Sequence, residues 1–326
     1  MSNKGKVRVA VIGTGYLGKF HAEKFANNPE AELVAVADVD SEAAARVARA
    51  CKTEACTRYS DLFGKVDAVV VATPTDSHFS ISREFLSRDV DVLIEKPMTA
   101  TLAEADELIE LAESRGLIIQ VGHLERFNPA VMALRGVVKK PLFVEAHRVS
   151  TYKPRAVNVS VVLDLMIHDI DIISHLAGSP VKQIHAAGVS VVSDHLDIAN
   201  ARIEFASGCV ANVTASRLAS KNERVIRIFQ PDAYVRVDFQ NRVVTVVRNP
   251  SAGKKGKNDT DAAPELCATE SRFEQADALA AETAAFVNSV KTRQAPEVTG
   301  QVGRDALFIA LSIVEQVNRR NARTAR

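Results

Sequence analysis

The stretch VAVIGTGYLGKFHAEKF, residues 9 to 25, sets Gly13, Gly15 and Gly18 in a GxGxxG spacing directly after a β-branched run and at the opening of a helical one. No other feature constrains the chain as much, because a strand, a tight turn and a helix in that order use all three glycines. Gly13 permits the turn, Gly15 lets backbone approach a pyrophosphate, and Gly18 allows the helix to pack closely on the sheet. The helix amino end then offers N–H groups and the positive end of its dipole to phosphate. Gly13, Thr14, Gly15, Tyr16, Leu17 and Gly18 are therefore the expected phosphate loop of a dinucleotide site. The next apolar run ends VAVAD, placing Asp38 where a carboxylate accepts hydrogen bonds from the adenosine ribose hydroxyls. No arginine follows in DVDSE, and a carboxylate repels a 2'-phosphate, so the expected cofactor is NAD rather than NADP.

From Val7 to about Gly122, short apolar runs alternate with amphipathic helical segments, the pattern of repeated βαβ units and a mainly parallel sheet. The expected strands are Arg8–Ile12, Leu33–Ala37, Ala68–Ala72, Val92–Ile94 and Ile118–Val121. The helices between them are Tyr16–Asn27, Glu42–Ala50, His78–Ser87 and Leu102–Ser114, the last closed by Gly116. The third strand ends ATPTDSH and the fourth LIEKPMT. Ligands of open α/β sheets bind outside the carboxyl ends of the strands, which adds Thr73, Pro74, Thr75, His78, Glu95 and Lys96 to the expected cofactor rim. A lysine beside a proline at that rim is also a candidate catalytic group.

After Gly122 the texture changes. FNPAVMAL reads as a short helix with an Asn cap and Pro in its first turn. VVLDLMIHDIDIISHL, residues 161 to 176, reads as a buried helix ending at Gly178. On an α-helical wheel Asp164, His168, Asp171 and His175 share one face, and only Asp169 falls off it. Three readings fit such a stripe: mutual satisfaction in a core, metal ligation, and catalysis. From Val181 to Val247 strand follows strand with period-two patterning, an antiparallel or mixed sheet with one open face. Residues 249 to 265 are polar and read as an exposed loop or lid, and two helices, about Phe273–Val290 and Arg304–Asn318, close the chain. The expected architecture is α/β: a Rossmann domain over 1–122 and a substrate and oligomerisation domain over 123–326, with the last helices free to pack back on the first.

Composition narrows the partners. Forty-one basic against forty acidic residues in 326 leave a net charge of +1, no bulk field suited to nucleic acid or an anionic membrane. Four cysteines without CxxC pairing suggest neither a disulfide framework nor a zinc site, and fit a reducing cytoplasm. No apolar run approaches the length of a membrane span. Anion recognition must then be local, and Arg126, Lys153, Arg155, Arg217 and Lys221 lie in segments able to supply it.

VIGTGYLGKFH, ATPTDSH, EKPMTATLAEADELI, ERFNPAV and DLMIHDID together resemble the glucose-fructose oxidoreductase/inositol dehydrogenase (Gfo/Idh/MocA) family over essentially the whole chain. The resemblance implies a dinucleotide domain followed by an α/β domain whose open sheet builds homodimers or homotetramers. It also implies hydride transfer between a nicotinamide and a carbinol of a sugar, cyclitol or nucleotide sugar. The EKP lysine carries over to Lys96, and the DxxxHxxD signature to Asp164, His168 and Asp171. Members commonly carry a glycine run before that aspartate, and AVNVSVVLD has none. In this the chain is more similar to the branch that oxidises UDP-N-acetylglucosamine at C3 and hands the 3-keto product to a sugar aminotransferase. On that reading Lys96, His168 and Asp164 are catalytic, with Lys96 or His168 as the base, no metal is required, and Asp171, Arg126, Arg155 and Arg217 contact substrate. An inositol or free-sugar dehydrogenase is the nearest alternative, and a catalytically silent NAD- or sugar-binding regulator the more distant one.

Overall fold

The structure, a computed structural model, describes residues 5–152, 159–249 and 266–324. Lys153, Arg155 and the polar stretch from 250 to 265 lie outside the described residues. The chain divides into two compact units, Met1–Phe127 with Asp277–Leu307, and Asn128–Ala276 with Phe308–Arg326.

In the first unit β1 (Val7–Ile12), α1 (Gly18–Ala26), β2 (Ala31–Ala37), α2 (Ser41–Cys51), β3 (Glu54–Cys56), β4 (Ala68–Val71), α3 (His78–Leu86), β5 (Asp91–Glu95), α4 (Leu102–Arg115) and β6 (Ile119–Gly122) follow one another. The strands form one parallel sheet in the order β3-β2-β1-β4-β5-β6. The order reverses between β1 and β4, so the loops after these two strands diverge and leave a crevice at their carboxyl ends. Local chemistry sets the helix ends. The Asp40 carboxylate accepts the N–H groups of Glu42 and Ala43 at the start of α2. Thr101 and Glu104 form a reciprocal capping box on α4, which Gly116 ends at a φ of 64°. The short edge strand β3 was not among the sequence expectations, because its three residues, EAC, carry no apolar period.

The second unit opens with α5 (Pro129–Met132), capped by the Asn128 side chain, and β7 (Phe143–Val149). A π-helical turn over Val162–Met166 leads into α6 (Ile167–Ala177). Then come β8 (Val181–Val189), β9 (Ile198–Phe205), β10 (Val210–Ser216), β11 (Glu223–Gln230), β12 (Ala233–Asp238), β13 (Val243–Arg248) and β14 (Cys267–Arg272). Their order is β14-β13-β12-β11-β7-β10-β9-β8, antiparallel except where β7 runs parallel to β10. β7 and β10 meet α6, and alternate residues such as Val144, Ala146, Ala211, Val213 and Ala215 are buried. Glu145, His147, Asn200, Arg202, Asn212 and Thr214 take the alternate positions, half-buried or exposed. This is the mixed sheet with one open face that the period-two patterning predicts.

The chain closes with α7 (Ala278–Thr292) and α8 (Gly300–Thr324). Phe286 and Val287 of α7 join Phe25 of α1 and Val9, Val11, Val70 and Leu93 of the sheet in the core of the first unit. Full burial of each phenylalanine contributes about 2 to 3 kcal/mol. Beyond Leu307, α8 belongs to the second unit, where the Gln316 amide donates to the Ile184 carbonyl at 2.9 Å and accepts the Ala186 N–H, while Asn321 donates to the Gly188 carbonyl at 3.1 Å. All three carbonyl and N–H groups belong to β8, the last strand of its sheet.

Candidate active site

The crevice of the first unit is a cleft of about 530 Å³ lined by Gly13, Gly15, Asp38, Thr73 and Pro74, with Tyr59, Ser77 and Ile81 completing the wall. The glycines have separate reasons. A Cβ on Gly13, whose φ is 92°, would lie 2.6 Å from the Ala72 carbonyl oxygen, and one on Gly18 would lie 1.8 Å from that of Gly13. A Cβ on Gly15 would meet nothing within 4 Å, so here the missing side chain leaves backbone open toward the cleft. Leu17, at the cap position of α1, has no side-chain oxygen to accept the first N–H groups of the helix. These N–H groups therefore suit a phosphate.

Asp38 is tied to the loop it faces. Its Oδ2 accepts the Thr14 N–H at 2.6 Å and the Thr14 hydroxyl at 2.9 Å, and its Oδ1 accepts the Asp40 N–H at 3.0 Å. Burial opposes its charge, but these N–H and O–H donors outweigh burial and hold the carboxyl below the usual carboxylate range. An ionised acceptor at the end of β2 is what an adenosine ribose requires. The open backbone at Gly15 and this carboxylate fit NAD. Thr14 is buried and serves Asp38, whereas Tyr16 is 61% exposed and stands edge-on to Phe20.

The two neighbouring strand ends are bound together by His78. Its ring nitrogens lie 2.8 Å from the Thr73 carbonyl and 3.0 Å from the Pro97 carbonyl, and the residue is buried. His78 is thus a brace between the loops after β4 and β5, and Thr75 stands half-buried in the 3-10 turn that follows Pro74. Lys96 follows β5 directly, half-buried, joined to Pro97 by a cis peptide. Glu95 is buried beneath it. The Glu95 Oε1 takes the His21 Nε2 at 2.7 Å, and its Oε2 accepts the Lys96 backbone N–H at 3.2 Å.

In the second unit Asp164 and His168 are half-buried, Asp171 is 2% exposed, and His175 is exposed at the helix end. The α-helical wheel needs one correction. Asp164 lies in the π-helical turn, whose wider winding breaks the 100° spacing, so the wheel relates only His168, Asp171 and His175. Asp169, the residue off the stripe, is buried against the Arg148 guanidinium in a two-pronged bond of 3.0 and 2.8 Å. That bond fastens α6 to β7 and fixes which face His168 occupies.

The expected substrate cations separate. Arg126 is buried in a 3-10 turn packed on α7. Arg217 is 2% exposed, with its guanidinium 3.8 Å from the buried Asp197 carboxylate and also donating to the Val159 carbonyl. Arg155 lies outside the described residues. Sequence reasoning missed Tyr59 and Ser77 as cleft residues, and His21, Arg148 and Glu282 as buried charge-bearing groups. Among the described residues no three His, Cys, Asp or Glu side chains converge as metal ligands, and no helix is long and apolar enough to cross a membrane.

Residues 7–123 match the family described as "Oxidoreductase family, NAD-binding Rossmann fold", and residues 131–236 match the "GFO/IDH/MocA C-terminal domain". The chain belongs to the Gfo/Idh/MocA family. As a Gfo/Idh/MocA protein it is an NAD-dependent oxidoreductase acting on a hydroxyl-bearing carbon. It is 37% identical to the UDP-N-acetylglucosamine 3-dehydrogenase of Acidithiobacillus ferrooxidans over 94% of this chain and 96% of that relative. A solved structure of that enzyme superposes with a TM-score of 0.89 at 36% identity, covering 96% of this chain and 97% of the other. The scyllo-inositol 2-dehydrogenase (NAD(+)) of Bacillus subtilis is 31% identical over 65% of this Gfo/Idh/MocA chain and 68% of its own.

Proposed function

We propose that this protein oxidises UDP-N-acetylglucosamine at C3 to the 3-keto sugar, with NAD as oxidant. The observation that carries the reading is identity held over the whole length: the A. ferrooxidans relative is 37% identical over 94% of the chain, second unit included, whereas the myo-inositol 2-dehydrogenase of Thermotoga maritima, aligned over 93%, is 26% identical. NAD, when bound, supplies the hydride acceptor. Gly15 and Asp38 hold its pyrophosphate and ribose, and His78 keeps the loops carrying Thr73 and Pro97 in register. Lys96 or His168 takes the hydroxyl proton, Lys96 stabilises the oxygen as it gains negative charge, and Asp164 and Asp171 orient the imidazole or a sugar hydroxyl.

The enzyme works in the cytoplasm as a homodimer or homotetramer through the open face of the second sheet, and passes its product to a sugar aminotransferase. Four cysteines without a disulfide support the compartment, and the uncovered sheet face supports the assembly. The test follows NADH absorbance with UDP-N-acetylglucosamine, myo-inositol and glucose, with glutamate and a sugar aminotransferase present to draw off product. Turnover with the nucleotide sugar alone is expected. Turnover with inositol alone would transfer the chain to the cyclitol dehydrogenases, and NAD binding without turnover on any alcohol would make it a regulator.

A further inference from the structure

Glu282 stands in the middle of α7 among small and apolar residues, in ALAAETAAFVNSV, and is completely buried. Neither of its carboxyl oxygens has a hydrogen-bond partner among the described residues. The nearby Gln120 amide donates to the Glu282 backbone carbonyl at 3.2 Å and so leaves the carboxyl untouched. A carboxylate ion in such a place is strongly disfavoured against the neutral acid, because nothing replaces the water it gives up.

Glu95 is the contrasting case. It is also buried, but His21 at 2.7 Å and the Lys96 N–H at 3.2 Å occupy its two oxygens. Its seat exists because residue 122 is glycine, since a Cβ there would lie 3.0 Å from the Glu95 Oε2. Burial raises the Glu95 carboxyl, but the His21 bond and the charges of His21 and Lys96 prevail and hold it low, whereas burial and the charge of Glu95 both push Glu282 well up. The elements packed on α7 bring His21, Glu23 and Lys24 of α1, Arg8 of β1, and Glu125 and Arg126 of the 3-10 turn into its neighbourhood. Lys24 and Arg8 are engaged by Asp277 and Asp67. Gln120, which meets Glu282, and Gly122, which faces the Glu95 carboxyl, alternate onto the same face of β6, so the two carboxyls share one interior, and among the described residues it is the Glu95 charge that acts on Glu282.

We propose that Glu282 is a positioning residue: with Glu95 it forms a buried carboxyl pair holding one proton, carried by Glu282, so that a single carboxylate stands behind Lys96. Two environments that drive neighbouring carboxyls apart define one as acid and the other as base. Were Glu282 ionised, Lys96 would face two negative charges and hold its own proton more tightly. The proton on Glu282 does not leave during turnover. It sets the charge against which Lys96 exchanges its proton with the substrate oxygen, and the inference rests to that extent on the role proposed for Lys96.

Infrared difference spectra of the full-length protein at neutral pH test the pair directly. The wild type should show a protonated carboxyl C=O band that vanishes in Glu282→Gln, or in Glu282→Leu should the amide variant fold poorly. In Glu95→Gln the same band should titrate at lower pH than in the wild type. Absence of the band at neutral pH, or an unmoved titration in Glu95→Gln, overturns the proposal. Neither measurement needs substrate, so both stand even if UDP-N-acetylglucosamine is not turned over. With turnover in hand, the pH midpoint of kcat should fall by about one unit in Glu95→Gln, which strips Lys96 of its countercharge, and should stay in place in Glu282→Gln. An equal fall in both variants shows that Glu282 is ionised and ends the proposal.

Discussion

Asp169 and Arg148 meet in a buried two-pronged ion pair of 3.0 and 2.8 Å that joins the helix bearing His168 to the central strand β7. Removing one partner of such a pair leaves the other charge buried, which costs about 3 to 5 kcal/mol, whereas replacing both by apolar groups is often neutral. Asp169→Ala should therefore lose about 3 kcal/mol in urea unfolding, and Arg148→Met with Asp169→Leu should recover most of it. A double variant no more stable than the single one would mean that the cost lies in packing rather than in the stranded guanidinium.

Lys96 and His168 should be separable from cofactor binding. Lys96→Ala and His168→Ala are each expected to bind NAD with wild-type affinity, read by fluorescence titration, and to lose turnover by about two to four orders of magnitude. Full turnover in either variant would remove that residue from the chemistry.

Asp38 should decide between the two nicotinamide cofactors. Asp38→Ser removes the acceptor for the ribose diol and the charge that repels a 2'-phosphate, so the Kd for NAD should rise about tenfold or more while that for NADP falls. Calorimetric titration of both cofactors reads the two changes. An unchanged preference would assign discrimination to another part of the cleft.

Asp197 makes stability depend on pH. It is fully buried, and although burial alone would raise it, the N–H groups of Val192, Val191 and Ser193 and the Ser193 hydroxyl pull its carboxyl down to about 2. In the unfolded chain an aspartate titrates at about 3.9. The folded state thus binds the proton less readily, and the stabilisation is complete above about pH 4 and lost as pH falls toward 2. The gap in Tm between wild type and Asp197→Asn should be widest near neutrality and close across that window. A gap indifferent to pH would assign the effect to shape.

The parts of this molecule legible in its sequence are those whose cause is local. Gly13, Gly15 and Gly18 announce a turn, Asn128 with Pro129 a helix start, and Gly116 and Gly178 helix ends, and each lies where its chemistry requires. β7, at the heart of the second sheet, went unread because FVEAHRV places a buried arginine on its inward face, and what makes Arg148 an inward residue is a carboxylate 21 positions later. The π-helical turn at Asp164 escapes any wheel drawn at a fixed angle. His21 and Glu282 look like ordinary helix polarity, and Glu95 like part of the cofactor rim, until three separate segments bring them into one interior. Arg217, an expected substrate cation, lies with its guanidinium 3.8 Å from the buried Asp197 carboxylate. Charge in a sequence declares chemistry but not orientation.

The side-chain amides of Gln316 and Asn321, laid along β8, give the last strand of the second sheet the pairing that a further strand would otherwise supply. A chain cut before Gln316 would bare a row of backbone groups at that border and invite strand after strand to add there. The final turns of α8 thus shield that border from the addition of further strands.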